Sequence, residues 1–362
     1  MKLSSLLRYQ PMLIAALALF FCVGHATAQA IDPTAQAVDP LCDPITGCKP
    51  AIARITYNGW DALRLTDGRS EAVVVPAIGR VMHYSLIGAP NFLWNTTRKS
   101  FKDKEWKNWG GDKTWPAPQS QWSVMAGQNW PPDAAWDASP HEEEVLTGGH
   151  LRLSSPVSSG LGARVIREFY FDANGEFVIT QTVEKLRGAP FSLSIWSVTQ
   201  IAPPDAVFLP LNPNSPYKNN YYWITAPQDD PVAHSSPTLL QARPTLKGAY
   251  KIGVDSPVAA IAAVKNGTAF VQRANRPKKA SYPDGALGGG FPVELYNTGR
   301  TSEDYMEMEL LSPLLSFNTG STWQHTVRWS LRQLASNDVN SPTLRAEVEA
   351  LLQEPTATVQ ST

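Results

Sequence analysis

The chain has 362 residues with 31 basic and 32 acidic side chains, a formal net charge of -1. That balance leaves no broad field to steer it to nucleic acid or anionic lipid. Hydrophobic residues make up 43% and charged residues 17%, a globular composition rather than a disordered one. The 30 prolines, 24 glycines and 12 tryptophans suit short strands joined by turns and argue against a coiled coil, a helical bundle or a transmembrane bundle.

Residues 1–30 read as a secretory signal peptide. Lys2 and Arg8 make a positive start, Met12 to Val23 is a short apolar stretch, and Ala26-Thr27-Ala28 and Ala28-Gln29-Ala30 are small-x-small cleavage sites. The apolar core falls short of the ~20 residues a spanning helix needs. Leu19-Phe20-Phe21 is too bulky to make Cys22 a lipidation site. The mature chain is therefore expected to be secreted or periplasmic, with no integral membrane segment. Residues 31–50, rich in Pro, Ala and Asp, read as a linker. The linker carries Cys42 and Cys48 within LCDPITGC, where an oxidising compartment predicts a disulfide across the turn. A zinc site needs further ligands nearby, and none are there; neither metal nor cofactor is expected.

From residue 52 onward, strand and turn signals alternate. Glu71 to Val75 and Arg80 to Ile87 are apolar runs parted by Pro76 and Gly79. Arg164 to Phe171 and Glu176 to Leu186 are β-branched and aromatic arms around Asp172-Ala173-Asn174-Gly175, the clearest hairpin. Val258 to Val264 and Ala269 to Arg273 repeat that logic around Asn266-Gly267. Further strands are expected at 191–201, 246–254, 291–297, 304–311 and 322–334. One helix is predicted late: Ser341 as N-cap, Pro342 in the first turn, then Leu344, Val348, Leu351 and Leu352 at helical spacing. Strands without alternating helices exclude a doubly wound α/β fold, and the lack of a blade repeat argues against a propeller. The expectation is all-β: one large twisted antiparallel β-sandwich over 51–336, then a C-terminal helix and tail over 337–362.

Seven tryptophans, Trp94, Trp106, Trp109, Trp115, Trp122, Trp130 and Trp136, fall between 94 and 136 among Gly, Pro, Lys, Asp and Gln. The segment lacks strand alternation and reads as a long loop, which in a compact domain is usually functional or disordered. Its aromatic content argues against disorder. Rings that stack on a sugar's C–H face, beside polar groups that bond its hydroxyls, are the usual furniture of a binding site; packing of the same rings against the sheets is the alternative. The tightest part is GGDKTWPAPQ, where Gly110-Gly111 permits close backbone approach and Asp112 and Lys113 sit beside Trp115.

DYMEMELLSPL alternates cleanly. Tyr305, Glu307 and Glu309 share one face, and Met306, Met308 and Leu310 the other. The methionine face reads as core. The carboxylate face is either solvated or the floor of a polar cleft, where desolvation would raise a carboxyl pKa and equip it as a general base.

YMEMELLSPL, the Thr319-Gly320-Ser321 turn and HTVRWSL together resemble the end of galactose mutarotase-like (aldose 1-epimerase-like) domains, and GRVMHYSL resembles their start. GGDKTWPAPQ resembles a branch of that superfamily known mostly as secreted proteins of unknown function. The resemblance covers roughly 52–334. It implies a large β-sandwich that binds a mono- or oligosaccharide in a cleft on one sheet, with a glutamate near the C-terminus as base and a histidine in a central TNHxYFNL-like motif as acid. Glu309 falls where that glutamate is expected. The comparable stretch here, SIWSVTQIAPPD, holds Trp196, Thr199 and Gln200 but no histidine, and glutamine exchanges no proton near neutral pH. His83, Lys113 or Tyr305 would have to substitute.

The resemblance thus points to a secreted carbohydrate-binding protein lacking the usual histidine. A sugar enzyme using Glu309 or Glu307, whether divergent epimerase, hydrolase or lyase, and a structural domain without a sugar site are the rivals. The expected site joins Trp109, Asp112, Lys113 and Trp115, Trp196 and Gln200, and Tyr305, Glu307 and Glu309, with Arg80 and His83 close by. G-x-S-x-G and GxxxxGK[ST] motifs are absent. Intact mass spectrometry of exported protein should find a start near residue 29 or 31 and no free thiol. Two alkylated cysteines in a native sample would refute the Cys42–Cys48 bridge.

Overall fold

The computed structural model describes residues 42–43, 47–48, 51–98, 100, 102, 105–287 and 289–355. The segment read as a signal peptide and most of the segment read as a linker lie outside the described residues. Cys42–Asp43 and Gly47–Cys48 pair as two short antiparallel strands with Cys42 opposite Cys48; the cysteine side chains, and so the expected disulfide, lie outside the described residues.

Two large antiparallel sheets carry the rest. The eleven-stranded sheet runs Tyr222–Thr225, Tyr250–Val254, Val293–Asn297, Met306–Leu311, Phe191–Ile201, Asp112–Ala117, Arg80–Leu86, Ser70–Val75, Trp60–Thr66, Ala51–Tyr57, with Leu315–Phe317 also on Phe191–Ile201. The ten-stranded sheet centres on Thr268–Ala274, Thr322–Gln333, Phe177–Lys185 and Ala163–Phe171. Between them lies an apolar layer that includes Tyr84, Phe177, Phe270, Trp329, Met306, Met308 and Leu310. Period-two alternation makes this layer, because every second side chain of each strand enters it.

The hairpin expected at 164–186 pairs in full register from Ala163↔Lys185 to Phe171↔Phe177, closed by Gly175 at φ 72°. The helix Pro342–Gln353 sets Leu344, Val348 and Leu352 on the outer face of the ten-stranded sheet, against Ala206, Phe208, Ala262 and Val271. Ser341 precedes it but makes no side-chain capping bond, so Pro342, whose fixed φ suits a first turn, marks the start alone. Among the described residues no helix is long and apolar enough to cross a membrane.

The tryptophan-rich segment differs most from expectation. Its centre, Asp112–Ala117, is a fully buried strand inside the eleven-stranded sheet, paired along Phe191–Ile201 from Ser194↔Ala117 to Thr199↔Asp112. Pro116 suggested a loop. It is tolerated because the strand on the other side, Arg80–Leu86, pairs only at Val81↔Asp112, so the missing N–H breaks no ladder there. Short helices at Trp122–Met125 and Ala134–Asp137 follow. Gly110 and Gly111 are required where they stand: φ is 92° and 71°, and a Cβ would lie 2.1 Å from the Trp94 carbonyl oxygen or 2.3 Å from that of Val81.

Asp112, expected in the sugar site, points the other way. Its neighbour Lys113 faces out, so alternation turns Asp112 into the space between the sheets. There it pairs with the buried Arg167 guanidinium and accepts from Thr199 Oγ1 at 2.7 Å. Gln272 Nε2 donates to the same Thr199 hydroxyl at 2.9 Å, and Thr114 bonds Gln181. This polar seam stitches the two sheets together. Asp112→Ala should lower the unfolding free energy by about 3–5 kcal/mol, the usual result of stranding one member of a buried pair; chemical denaturation would measure it, and a loss under about 1 kcal/mol would show the seam to be dispensable.

Candidate functional site

Lys113, Val198, Glu309 and Glu294 are successive cross-strand partners in four adjacent strands; so are Gln200, Glu307, Tyr296 and Lys251 one row on. Because register partners share a face, these two rows form one polar surface on the outside of the eleven-stranded sheet. A cleft of about 680 Å³ opens over it, within the usual range of ligand pockets, roughly 300–1,000 Å³. Glu307, Glu309, Lys251, Tyr296 and Tyr305 line its lower part, Trp106, Trp115, Trp130 and Trp196 its aromatic wall, and Arg98, Glu105, Asp284, Arg300 and Glu303 are charged groups along its lining.

Lys251 is the hub of the floor. Its Nζ lies 2.6 Å from Glu294 Oε2 and 2.9 Å from Glu309 Oε2, and 4.5 Å from the centre of the Trp196 ring. Trp196 Nε1 also donates to Glu309 Oε2 at 2.9 Å. Burial disfavours the lysine's charge, but the two carboxylates outweigh it and hold Lys251 above the ordinary lysine value. Glu309 moves up as well, well above the usual carboxylate range, first because it is buried and then because Glu294 and Glu307 repel its charge, with Lys251 opposing. Oε1 of Glu309 and Oε1 of Glu294 make no hydrogen bond among the described residues.

In the adjoining row, Glu307 Oε1 accepts from Gln200 Nε2 at 2.9 Å and from Lys113 Nζ at 3.5 Å. Lys113 sits 4.7 Å from the Trp115 ring centre. Its pKa falls to about 8, chiefly through burial, with Glu307 opposing the shift. The aromatic wall is fixed by a residue absent from the sequence reading: buried Asp137 accepts from Trp115 Nε1 at 2.7 Å, Trp106 Nε1 at 2.9 Å and Arg80 Nη2 at 2.7 Å.

Trp115, Trp196, Tyr305, Glu307 and Glu309 thus line the cleft, while Lys113 and Gln200 support Glu307. The other expected members lie elsewhere. Arg80 is fully buried and holds Asp137 and the Gly110 carbonyl. Trp109 lines a neighbouring depression with Trp60 and Tyr57. His83 is three strands from Glu309 in the sheet order, roughly 14 Å by strand spacing; it contacts Ser85 at 2.8 Å and Glu71 at 3.7 Å. Burial lowers its pKa to about 4, so it is neutral and has no part in the cleft. Among the described residues no histidine lines the cleft, and no group of three or more His, Cys, Asp or Glu is placed to hold a metal ion.

A family model described as a domain of unknown function, DUF4380, matches residues 61–332. The chain belongs to that family. The fold is galactose mutarotase-like. A galactose mutarotase-like protein from Lactobacillus casei shares 8% identity at a TM-score of 0.51, covering 75% of this chain and 100% of that one. One from Clostridium acetobutylicum shares 10% at 0.50, covering 79% and 99%. A TPR-domain containing protein from Parabacteroides distasonis is matched over 52% of its length and 81% of this chain, at 14% identity and a TM-score of 0.48, too slight a likeness to argue from. No curated protein matches the sequence. At such identities the solved structures speak for the fold alone, and function has to be argued from the cleft.

Missing from the sequence reading were Lys251, Glu294 and Asp137. A single charge within the apolar strands YKIGV and VELYN is the signal that was there to find, since buried charges come in pairs. The raised Glu309 carboxyl has a thermodynamic signature. The folded state keeps its proton above the usual value of 4.5 while the unfolded state releases it, so this group costs stability as pH rises from that value. Relative to wild type, Glu309→Gln should therefore become progressively more stable as pH is raised above about 4.5, in urea melts taken across the range. A constant difference would refute the raised carboxyl.

Proposed function

We propose that this chain is an exported carbohydrate-binding protein that holds a mono- or oligosaccharide in the cleft, without the mutarotation chemistry its fold suggests. The observation that carries the reading is the pairing of four tryptophans with a carboxylate floor. Trp106, Trp115, Trp130 and Trp196 make a continuous array, with neighbouring ring centres 4.7–6.2 Å apart, beside Glu307 and Glu309. Flat apolar faces take the C–H side of a pyranose, and carboxylate oxygens accept its hydroxyls. The signal peptide read at 1–30 supports export.

Two features argue against an ordinary epimerase. The stretch 194–205 has no histidine. The cation nearest Glu309 is Lys251, in direct contact at 2.9 Å, whereas ring opening needs acid and base held apart on either side of the sugar. A second reading is favoured by Glu309 itself: a carboxyl raised above the usual range by burial, in contact with Lys251 and Trp196 and bearing an unbonded oxygen, has the character of a general acid or base. On that reading the chain is a divergent epimerase, or a hydrolase or lyase using Glu309 or Glu307.

A glycan array followed by calorimetry on the sugars it selects, with polarimetry on galactose and glucose, separates the two. Binding without mutarotation is expected. Trp130, 47% exposed, offers a test that spares the fold: Trp130→Ala should weaken binding about tenfold, roughly 1.4 kcal/mol, with the melting temperature kept. A kcat/KM of about 10⁴ M⁻¹s⁻¹ or more would establish the enzyme.

A further inference from the structure

We propose that the ligand is an oligosaccharide rather than a single sugar, and that its chain runs from the cleft into a second aromatic subsite built by Trp60 and Trp109; the inference rests on the sugar-binding reading above. The depression that these two rings line has a volume of about 750 Å³, comparable with that of the cleft and within the usual range of ligand pockets. Register places both hollows on one face of the molecule. Val81 lies opposite Asp112, and both turn inward, Val81 into the apolar layer and Asp112 to Arg167. Their neighbours Met82 and Lys113 therefore turn outward together. Met82 lines the depression, and Lys113 supports the cleft floor through Glu307.

The two hollows are also contiguous. Arg98 belongs to both linings. Its guanidinium donates to both oxygens of Glu105, at 2.9 and 3.0 Å, and Glu105 lines the cleft. The residues that follow divide between the two: Trp106 lines the cleft, while Lys107 and Trp109 line the depression. One short run of chain walls both.

The depression repeats the chemistry of the cleft. Trp60 and Trp109 meet edge to face, with ring centres 6.1 Å apart and planes at 88°. They pack on a cluster that includes Tyr57, Val75 and Met82 and stay partly exposed. Asn58, Thr97 and Lys107 are exposed polar side chains of the same lining. Flat apolar surface with a few hydrogen-bonding groups beside it suits a sugar ring here as it does in the cleft. Trp60 begins a strand three places from Asp112–Ala117, the strand of Trp115, in the sheet order, roughly 14 Å across the sheet by strand spacing. No single pyranose bridges that span. A glycan chain that does so makes its second contact intramolecular, so affinity grows with chain length while the first contact is unchanged.

The experiment is titration calorimetry of the full chain with glucose, galactose, mannose, xylose and N-acetylglucosamine, each compared with its own oligomers up to the hexasaccharide. At least one series should gain about tenfold or more in affinity between the monosaccharide and its longest oligomer. Trp60→Ala should remove most of that gain and bind the monosaccharide as the wild type does, whereas Trp130→Ala weakens both. Should Trp60→Ala fail to fold, Lys107→Ala, at an exposed position, is expected to weaken the oligomer about threefold, the worth of one modest hydrogen bond, with monosaccharide affinity and melting temperature kept. Monosaccharide binding without a gain along any series, or a gain that the folded variant leaves intact, overturns the second subsite and leaves the sugar-binding reading standing. If no member of any series binds, that reading falls and this one with it.

Discussion

The cleft depends on the register of three neighbouring strands, Asp112–Ala117, Phe191–Ile201 and Met306–Leu311. Val198 lies opposite both Lys113 and Glu309, and that alignment decides which side chains meet outside the sheet and which meet inside it. Because the side-chain period is two, a slip of one residue in Met306–Leu311 would bring Glu307 and Glu309 into the apolar layer and push the methionines out. The penalty for burying two unpaired carboxylates there far exceeds any local preference. Core and cleft therefore enforce each other: the methionines hold the strand so that the glutamates can face the tryptophans.

Adjacent residues translate this into charge. Asp112 turns inward to Arg167, and Lys113 turns outward to Glu307. One strand thus anchors an ion pair on each face of the sheet. The inner pair ties the two sheets through Thr199, Gln272, Thr114 and Gln181; the outer pair sets the floor. Disturbing either face of this strand reaches the other through a single peptide unit.

Strands whose function and packing agree were legible from residue pattern. The 164–186 hairpin announces itself through an Asn-Gly turn between β-branched arms, and 306–311 through alternation alone. Asp112–Ala117 was concealed because Pro116 and two adjacent charges imitate a turn, and only the missing ladder partner beyond Val81 shows why a proline fits there. The site was half legible for a similar reason. Glu307, Glu309 and Trp196 lie on strands that pair with one another, and alternation aims them together. Lys251 and Glu294 come from strands 40 or so residues apart in sequence, and their meeting follows from strand order, which no local pattern encodes. Asp112 was misplaced because composition tells which residues are polar but not which side of a sheet they face, and His83 because strand order sets it three strands from Glu309.

On the proposed reading, Asp137 has a consequence for how the cleft would receive a sugar. A single buried carboxylate takes three donors, two of them the indole N–H groups of the wall and the third the fully buried Arg80. The rings of Trp106 and Trp115 are therefore locked before anything enters, with their orientation inherited from the interior of the sheet. A side chain already frozen surrenders no rotamer entropy on binding, and roughly 0.5–1.5 kcal/mol per immobilised side chain is spared. The wall is preorganised: Trp130, leaning in from the rim, is the ring left to adjust, and selectivity falls to the shape and charge of the guest rather than to rearrangement of the host.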